Sequence, residues 1–308
     1  MIFSEICRLS APKSHCRIAA LSWSQKFDWI AVSGSDGALQ ILKLQWIAGK
    51  NESKLLSAGM GVIYRQQCKG HHGLVKLSQW NDVYEKIASF DSQGTIIIWQ
   101  FTGDTFIPLE ANHRQSGSVA TDFVWSPNGK LACIAYRDGI VAVSGTTGQL
   151  WQIELSNVCV TWTPDSSGVA VAPRQSGCVY VLRASDGERQ GAVPVVSRED
   201  GHEIVAAAWY AGVDGVPSDA PCLAVCFDNG LVQVFEHAND EVPVLVETML
   251  RISSAAWSPD GRLLAIAGAT EPAAHSPFQN EYTTAVACVV YFYTADGKLV
   301  AKHAVAGA

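Results

Sequence analysis

Six tryptophans, Trp23, Trp80, Trp125, Trp162, Trp209 and Trp257, each close a short apolar run, and successive members lie 57, 45, 37, 47 and 48 residues apart. The distance from each tryptophan to the next turn glycine also repeats. Trp23 to Gly37, Trp80 to Gly94 and Trp125 to Gly139 are each 14 residues, and Trp162 to Gly177 is 15. A chain built this way folds as an array of similar supersecondary units, none of which can bury its own apolar face alone.

The unit is plainest in the third copy, VWSPNGKLACIAYRDGIVAVSG from Val124. There an apolar run, a Pro-Asn-Gly turn, a second run, an Arg-Asp-Gly turn and a third run follow one another. Asn-Gly and Asp-Gly supply the left-handed backbone that tight hairpins need, so this is a three-stranded meander. The other copies carry Ser35-Asp36-Gly37, Ser92-Gln93-Gly94, Ser176-Gly177, Asp228-Asn229-Gly230 and Ser258-Pro259-Asp260-Gly261 at matching places. A fourth, outer strand is expected in the more variable stretch before the next tryptophan. Third strands such as Thr95-Ile96-Ile97-Ile98-Trp99 are apolar on both faces, as strands sandwiched between neighbouring sheets must be. A four-stranded sheet every ~40–45 residues is the pattern of a WD-repeat β-propeller. The expected fold is all-β, with six blades centred on 13–44, 70–100, 117–145, 156–183, 202–236 and 251–294. Trp23, Trp80, Trp125, Trp162, Trp209, Trp257, His71 and Trp99 are expected to anchor these blades, and none of them is assigned to catalysis.

Bulk properties fit this reading. The 308 residues exceed the roughly 250–300 at which one core stops growing, a limit that a propeller escapes by stacking small blade cores. Charged residues make up 17% and the net charge is −7, which excludes the basic field that draws proteins to nucleic acid or anionic lipid. Met1-Ile2-Phe3-Ser4-Glu5 leads into Arg8 without the apolar core of a signal peptide, and no apolar run reaches membrane-spanning length. The nine cysteines are odd in number, lack framework spacing and sit mostly in apolar runs. That pattern points to free buried thiols and a reducing compartment. Cys222 and Cys226 lie four residues apart on one strand, roughly 13 Å at strand rise and too far for one ion. His71 follows Gly70 just ahead of the Trp80 strand, where a structural histidine is expected rather than a metal ligand.

Neither a Gly-x-Ser-x-Gly elbow, a phosphate loop, a dinucleotide fingerprint nor a His-Glu-x-x-His motif is present. The aspartates Asp36, Asp138, Asp165, Asp186, Asp228, Asp260 and Asp296 fall at turns, where they accept backbone hydrogen bonds. No catalytic residue, metal or cofactor is therefore expected, and function falls to surfaces. Three stretches depart from the compact repeat, 45–65, 210–221 and 270–285, and loops held on a rigid scaffold are favoured binding sites.

The run PCLAVCFDNG from Pro221, followed by VQVFEHANDEVPVL, resembles the first propeller of the WD-repeat subunit of intraflagellar transport complex A, the WD repeat-containing protein 35 family. The resemblance extends through IAVSGSDGALQILKL from Ile30, GHHGLVKLSQWNDVYEKIASFDSQGTIIIW from Gly70, TTGQLW after the third copy and VVYFYTADGKLV from Val289. A related tubby-like family with an N-terminal propeller has a similar third copy, and the fifth-copy run favours the transport subunit. This resemblance implies a non-enzymatic scaffold for retrograde ciliary transport and for entry of membrane cargo. Its implied partners are other complex A subunits and ciliary cargo adaptors, and its implied locations are cytoplasm, cilium or flagellum and basal body. An adaptor outside cilia, either a ubiquitin-ligase substrate receptor or a tubby-like protein, is the alternative. The family's propeller implies seven blades, so a seventh is expected in the full protein, with residues 1–9 as its outer strand. In the polar ladder of a standard WD repeat, an aspartate six residues before the third-strand tryptophan bonds a histidine. Only the second copy approaches this, and there the place is held by Gln93, with Asp91 two residues earlier.

Overall fold

The computed structural model describes residues 18–24, 26–34, 38–47, 59–113, 117–195, 202–210, 223–236, 240–258, 260–270 and 288–305. The described residues form 24 β-strands and no helix, arranged as six antiparallel sheets of four strands in meander order. These are the blades of an all-β propeller fold, and each is a tryptophan-to-glycine unit completed by an outer strand. The chain divides into two compact units, residues 2–148 and 149–308.

In the first unit, blade one comprises β1 (Ile18–Ser24), β2 (Trp29–Gly34), β3 (Leu39–Ile47) and β4 (Gly59–Cys68). Blade two comprises β5 (Val75–Asn81), β6 (Lys86–Asp91), β7 (Thr95–Phe101) and β8 (Phe106–His113). Blade three begins with β9 (Ala120–Trp125), β10 (Ala132–Tyr136) and β11 (Ile140–Gly145), and β12 (Gly148–Glu154) is its outer strand. In the second unit, blade four holds β13 (Val158–Trp162), β14 (Gly168–Pro173), β15 (Cys178–Arg183) and β16 (Arg189–Pro194). Blade five holds β17 (Ile204–Trp209), β18 (Leu223–Phe227), β19 (Leu231–Phe235) and β20 (Val244–Glu247). Blade six holds β21 (Leu250–Trp257), β22 (Leu264–Thr270), β23 (Cys288–Tyr293) and β24 (Leu299–Val305). The hairpin glycines Gly94, Gly129, Gly139, Gly230 and Gly261 all have positive φ, a conformation glycine adopts without a Cβ clash.

Second strands are the most deeply buried elements, with β10 and β18 covered at every position, because each is sandwiched inside its own sheet and between neighbours. The face toward the following blade carries an alanine or cysteine at each of four interfaces, beside Trp29 on β2 and Phe90 on β6, and the next blade answers with larger groups. Ala31 packs in one core with Ile87, Ala88 with Ile134, Ala170 and Ala172 with Leu223 and Val225, and Ala224 and Cys226 with Leu264 and Ile266. Small against large lets the sheets interdigitate at interior density.

The stretch 45–65 is only partly a departure from the repeat. Gln45, Trp46 and Ile47 continue β3, and Gly61, Met60 and Gly59 pair with them in β4, so this hairpin is lengthened rather than interrupted by an insertion from its start. The stretches 211–222 and 271–287, and the expected closing strand 1–9, lie outside the described residues. Outer strands expose a free edge, and that of β8 is blunted. The Gln66 side chain of β4 donates Nε2–H to the Phe106 carbonyl at 2.7 Å and accepts the Phe106 N–H at 2.7 Å. Pro108 two residues on has no N–H to offer, so both devices disfavour strand addition along this edge.

Candidate functional site

A hydrogen-bonded chain of four side chains runs through blade two. His71 lies in the loop entering β5, Ser89 and Asp91 on β6, and Trp99 on β7. Trp99 Nε1–H donates to Ser89 Oγ at 2.8 Å, Ser89 Oγ lies 2.6 Å from His71 Nε2, and His71 Nδ1 lies 3.1 Å from Asp91 Oδ2. A carboxylate can only accept, so His71 carries its proton on Nδ1, and Nε2 accepts from the Ser89 hydroxyl. Direction is thereby set from indole to hydroxyl to imidazole, with a separate imidazole N–H to carboxylate bond.

Electrostatics keeps this chain in one protonation state. Burial lowers the His71 pKa, against the opposing hydrogen bond and charge of Asp91, so the ring is neutral. Burial pushes the Asp91 carboxyl upward, but the Thr95 N–H, the His71 bond and the N–H groups of Gln93 and Gly73 outweigh it and hold the group at about 2. The Asp91 Oδ1 contacts to Gln93 N and Thr95 N are each 2.9 Å. The His71 side chain is 3% exposed and Asp91, Ser89 and Trp99 are buried, so no substrate reaches them, and the arrangement serves to fasten strands β6 and β7 to the entering loop. The ladder expected to lack its acid is thus complete. Asp91 fills the role from two residues earlier than the place held by Gln93, because its position at the end of β6 lets the carboxylate cap the turn and face His71 at once. Ser89 was not among the expected anchors; its signal is a hydroxyl in an otherwise apolar strand.

The first-strand tryptophans divide by environment. Trp80 and Trp162 are buried, while Trp125, Trp209 and Trp257 are partly buried and packed against blade cores. Their indoles follow a register. Trp80 Nε1–H donates to the Ser22 carbonyl at 3.1 Å, Trp125 to Gln79 at 3.2 Å and Trp257 to Ala208 at 3.0 Å. In each case the acceptor immediately precedes the tryptophan of the preceding blade. Trp209 Nε1 is buried without a partner.

Trp23 differs from its expected role, being 53% exposed. Trp29 in blade one is buried, 1% exposed; it meets the rings of Tyr64, Phe101 and Phe106 at 5.0–5.1 Å and donates to Glu85 at 2.9 Å. The physical cause is a matter of faces. Trp29 points to blade two, whereas Trp23, paired with Ile30, lies on the opposite face of β1 and β2.

Among the described residues no group of three or more His, Cys, Asp and Glu is placed to hold a metal ion. The described free thiols Cys68, Cys133, Cys159 and Cys226 are buried, and burial pushes Cys68 and Cys226 up to about 12, which removes them as nucleophiles. At the loops of the second unit, His202 Nδ1 sits 3.0 Å from Asp228 and Gln175 donates to Glu203 at 2.9 Å. These are polar pairs at a surface rather than a reactive constellation. No helix of the described residues is long and apolar enough to cross a membrane.

Residues 7–308 match the family described as WDR35/TULP4 N-terminal, a β-propeller family. The chain belongs to this family. Human WD repeat-containing protein 35 is 31% identical over 97% of this chain and 25% of its own length, and the rat protein is 29% identical over 96% of the chain. Mouse Tubby-related protein 4 is 30% identical over 69% of this chain and 15% of its own length. The chain thus spans about a quarter of the length of the WD repeat-containing protein 35 relatives. Among solved structures, a chain of the "Crystal Structure of Mitotic Checkpoint Complex" superposes with a TM-score of 0.64 at 17% identity, covering 83% of this chain and 73% of that one. This last likeness carries the fold alone.

Proposed function

We propose that this chain is a non-enzymatic interaction scaffold, the first propeller of a complex A subunit of intraflagellar transport, acting in retrograde movement and in ciliary entry of membrane cargo. The observation carrying this reading is the extent of similarity. Identity to WD repeat-containing protein 35 runs through 97% of the chain, whereas Tubby-related protein 4 is matched over 69%. The candidate site supports a scaffold role, since its polar chain is sealed inside a blade and fastens strands together. On this reading the partners are other complex A subunits and cargo adaptors, and the protein works in cytoplasm, cilium or flagellum and basal body.

The test is purification of the tagged full-length protein from ciliated or flagellated cells, with partners identified by mass spectrometry. Recovery of other complex A subunits with motor components supports the proposal. Recovery of ubiquitin-ligase cores, or of no ciliary protein, sinks it and leaves an adaptor with a different cargo. The Tubby-related branch of the family predicts a tubby domain downstream, which the full-length sequence will show or lack.

A further inference from the structure

Blade five differs from the other blades in charge. Its described residues include Glu203, Asp228, Glu236, Asp240, Glu241 and Glu247 and no lysine or arginine, and the sequence has none between Arg198 and Arg251. Each of the other blades carries both signs. Several cations of the flanking blades are already engaged. Arg183 of blade four pairs with Asp186 and Glu188, each at 2.9 Å, and Arg189 lies 4.4 Å from the centre of the Tyr180 ring. Arg174 donates to the Ile204 carbonyl at 2.9 Å, at the inner strand of blade five, and Lys298 of blade six acts on Asp296.

The outer rim of the same blade displays apolar side chains. Val242 at 84% and Met249 at 80% are the two most exposed large apolar residues among those described, and Leu245 between them is 45% exposed. They stand at the start, middle and end of β20, the outer strand. Both end positions are held by capped turns. Asp240 accepts the Glu236 and Val242 N–H groups at 3.1 Å each. Thr248 Oγ1 donates to the Gly230 carbonyl at 2.9 Å and accepts the Leu250 N–H at 3.3 Å, which fixes Met249 between them at a φ of +56°. A side chain bearing a Cβ is strained in that left-handed region, and packing gives no reason for it here, since the methionine points to solvent. Strain of this kind clusters where a residue is displayed for recognition.

We infer that the outer rim of blade five, β20 with its two flanking turns, docks a segment of a partner protein that carries lysine or arginine among apolar side chains. The negative field repels phosphate backbones and anionic lipid and draws cationic protein. Apolar contact with Val242, Leu245 and Met249 supplies affinity, and Glu236, Asp240 and Glu241 beside Val242 supply the choice of partner and the rate of encounter. Capped turns keep the apolar groups in place before binding, which lowers the ordering cost, and the methionine thioether adapts to the surface it meets. The recognition chemistry is the same for a partner inside or outside cilia.

Fluorescence anisotropy of the full-length protein with a short fluorescein-labelled peptide of lysine and leucine tests the chemistry. Binding is expected, with an affinity that falls as salt rises, and none is expected for the matching peptide of glutamate and leucine. Glu241→Lys and Leu245→Ser should each weaken binding at least about fivefold. Asp104→Lys makes the same change of net charge on an exposed loop of blade two and should leave binding within about twofold. Met249→Gly should weaken binding while raising the melting temperature, because glycine takes a positive φ without a Cβ clash. No binding of the lysine peptide, equal binding of the glutamate peptide, or an equal loss with Asp104→Lys overturns the inference. The partner is read by photo-crosslinking in cells from benzoylphenylalanine placed at position 245 of the full-length protein. Crosslinks to a lysine- or arginine-bearing segment of another protein support the inference. Crosslinks confined to a second copy or to the same polypeptide, or to partner segments without basic residues, overturn it.

Discussion

Replacing Ser89 with alanine removes one oxygen and opens two bonds at once. Ser89 is fully buried, and its hydroxyl is the link between Trp99 Nε1 at 2.8 Å and His71 Nε2 at 2.6 Å. Water does not reach the orphaned indole N–H or the imidazole lone pair. Each buried polar group left unpaired costs about 1–3 kcal/mol, so Ser89→Ala is expected to destabilise blade two by roughly 2–5 kcal/mol. The lost atom itself contributes little volume. Native-state hydrogen exchange is the suitable assay, because it reads opening of β5 to β8 without requiring that the whole chain unfold in one step. A double-mutant cycle with Trp99→Phe isolates the link. If the four side chains act in series, the coupling falls at about 0.5–3 kcal/mol. Exchange of the β6 and β7 amides within about 0.5 kcal/mol of wild type, or strictly additive single effects, would refute the reasoning and reduce the chain to a coincidence of packing.

Asp91 makes stability depend on acid. Its folded pKa of about 2 lies below the ordinary 3.8, so its contribution is present above 3.8 and is lost as pH falls through 2. The stability difference between wild type and Asp91→Asn should therefore shrink across that window in urea unfolding, and a constant difference would count against the assignment. His71, lowered by burial, should remain unprotonated by NMR at the ordinary histidine midpoint of 6.5 and should cost stability as pH drops below it, since the unfolded ring takes up the proton first. Trp80→Ala should cost roughly 3–5 kcal/mol through the cavity it leaves, and a variant with wild-type thermal stability would contradict its place in the core. Gly261→Ala should destabilise blade six, because φ is +61° and the new Cβ falls 1.9 Å from the Tyr210 ring. Combining it with Tyr210→Ala should recover the steric part in thermal melts.

Much of this protein was legible in the residues. The tryptophan-to-glycine spacing marked the repeat, and the Asn-Gly and Asp-Gly pairs marked hairpins whose glycines do take positive φ. Gly70-His71 and Trp99 located the polar ladder of blade two. These features are local, set by hydrogen-bonded turns and by side-chain alternation along a strand, so a single chain read in order suffices to find them. Tertiary structure decided which face of each strand is covered. Trp23 and Trp29 both close or open apolar runs in the same hairpin, and period-two alternation says only that they lie on opposite faces. Blade two then buries one and leaves the other half exposed. The carboxylate of the ladder was hidden for a related reason. Spacing along the chain pointed to Gln93, yet the fold brings Asp91 to His71 from 20 positions further along the chain. Distance in sequence does not determine distance across a folded turn, and burial is a property that a residue acquires from its neighbours.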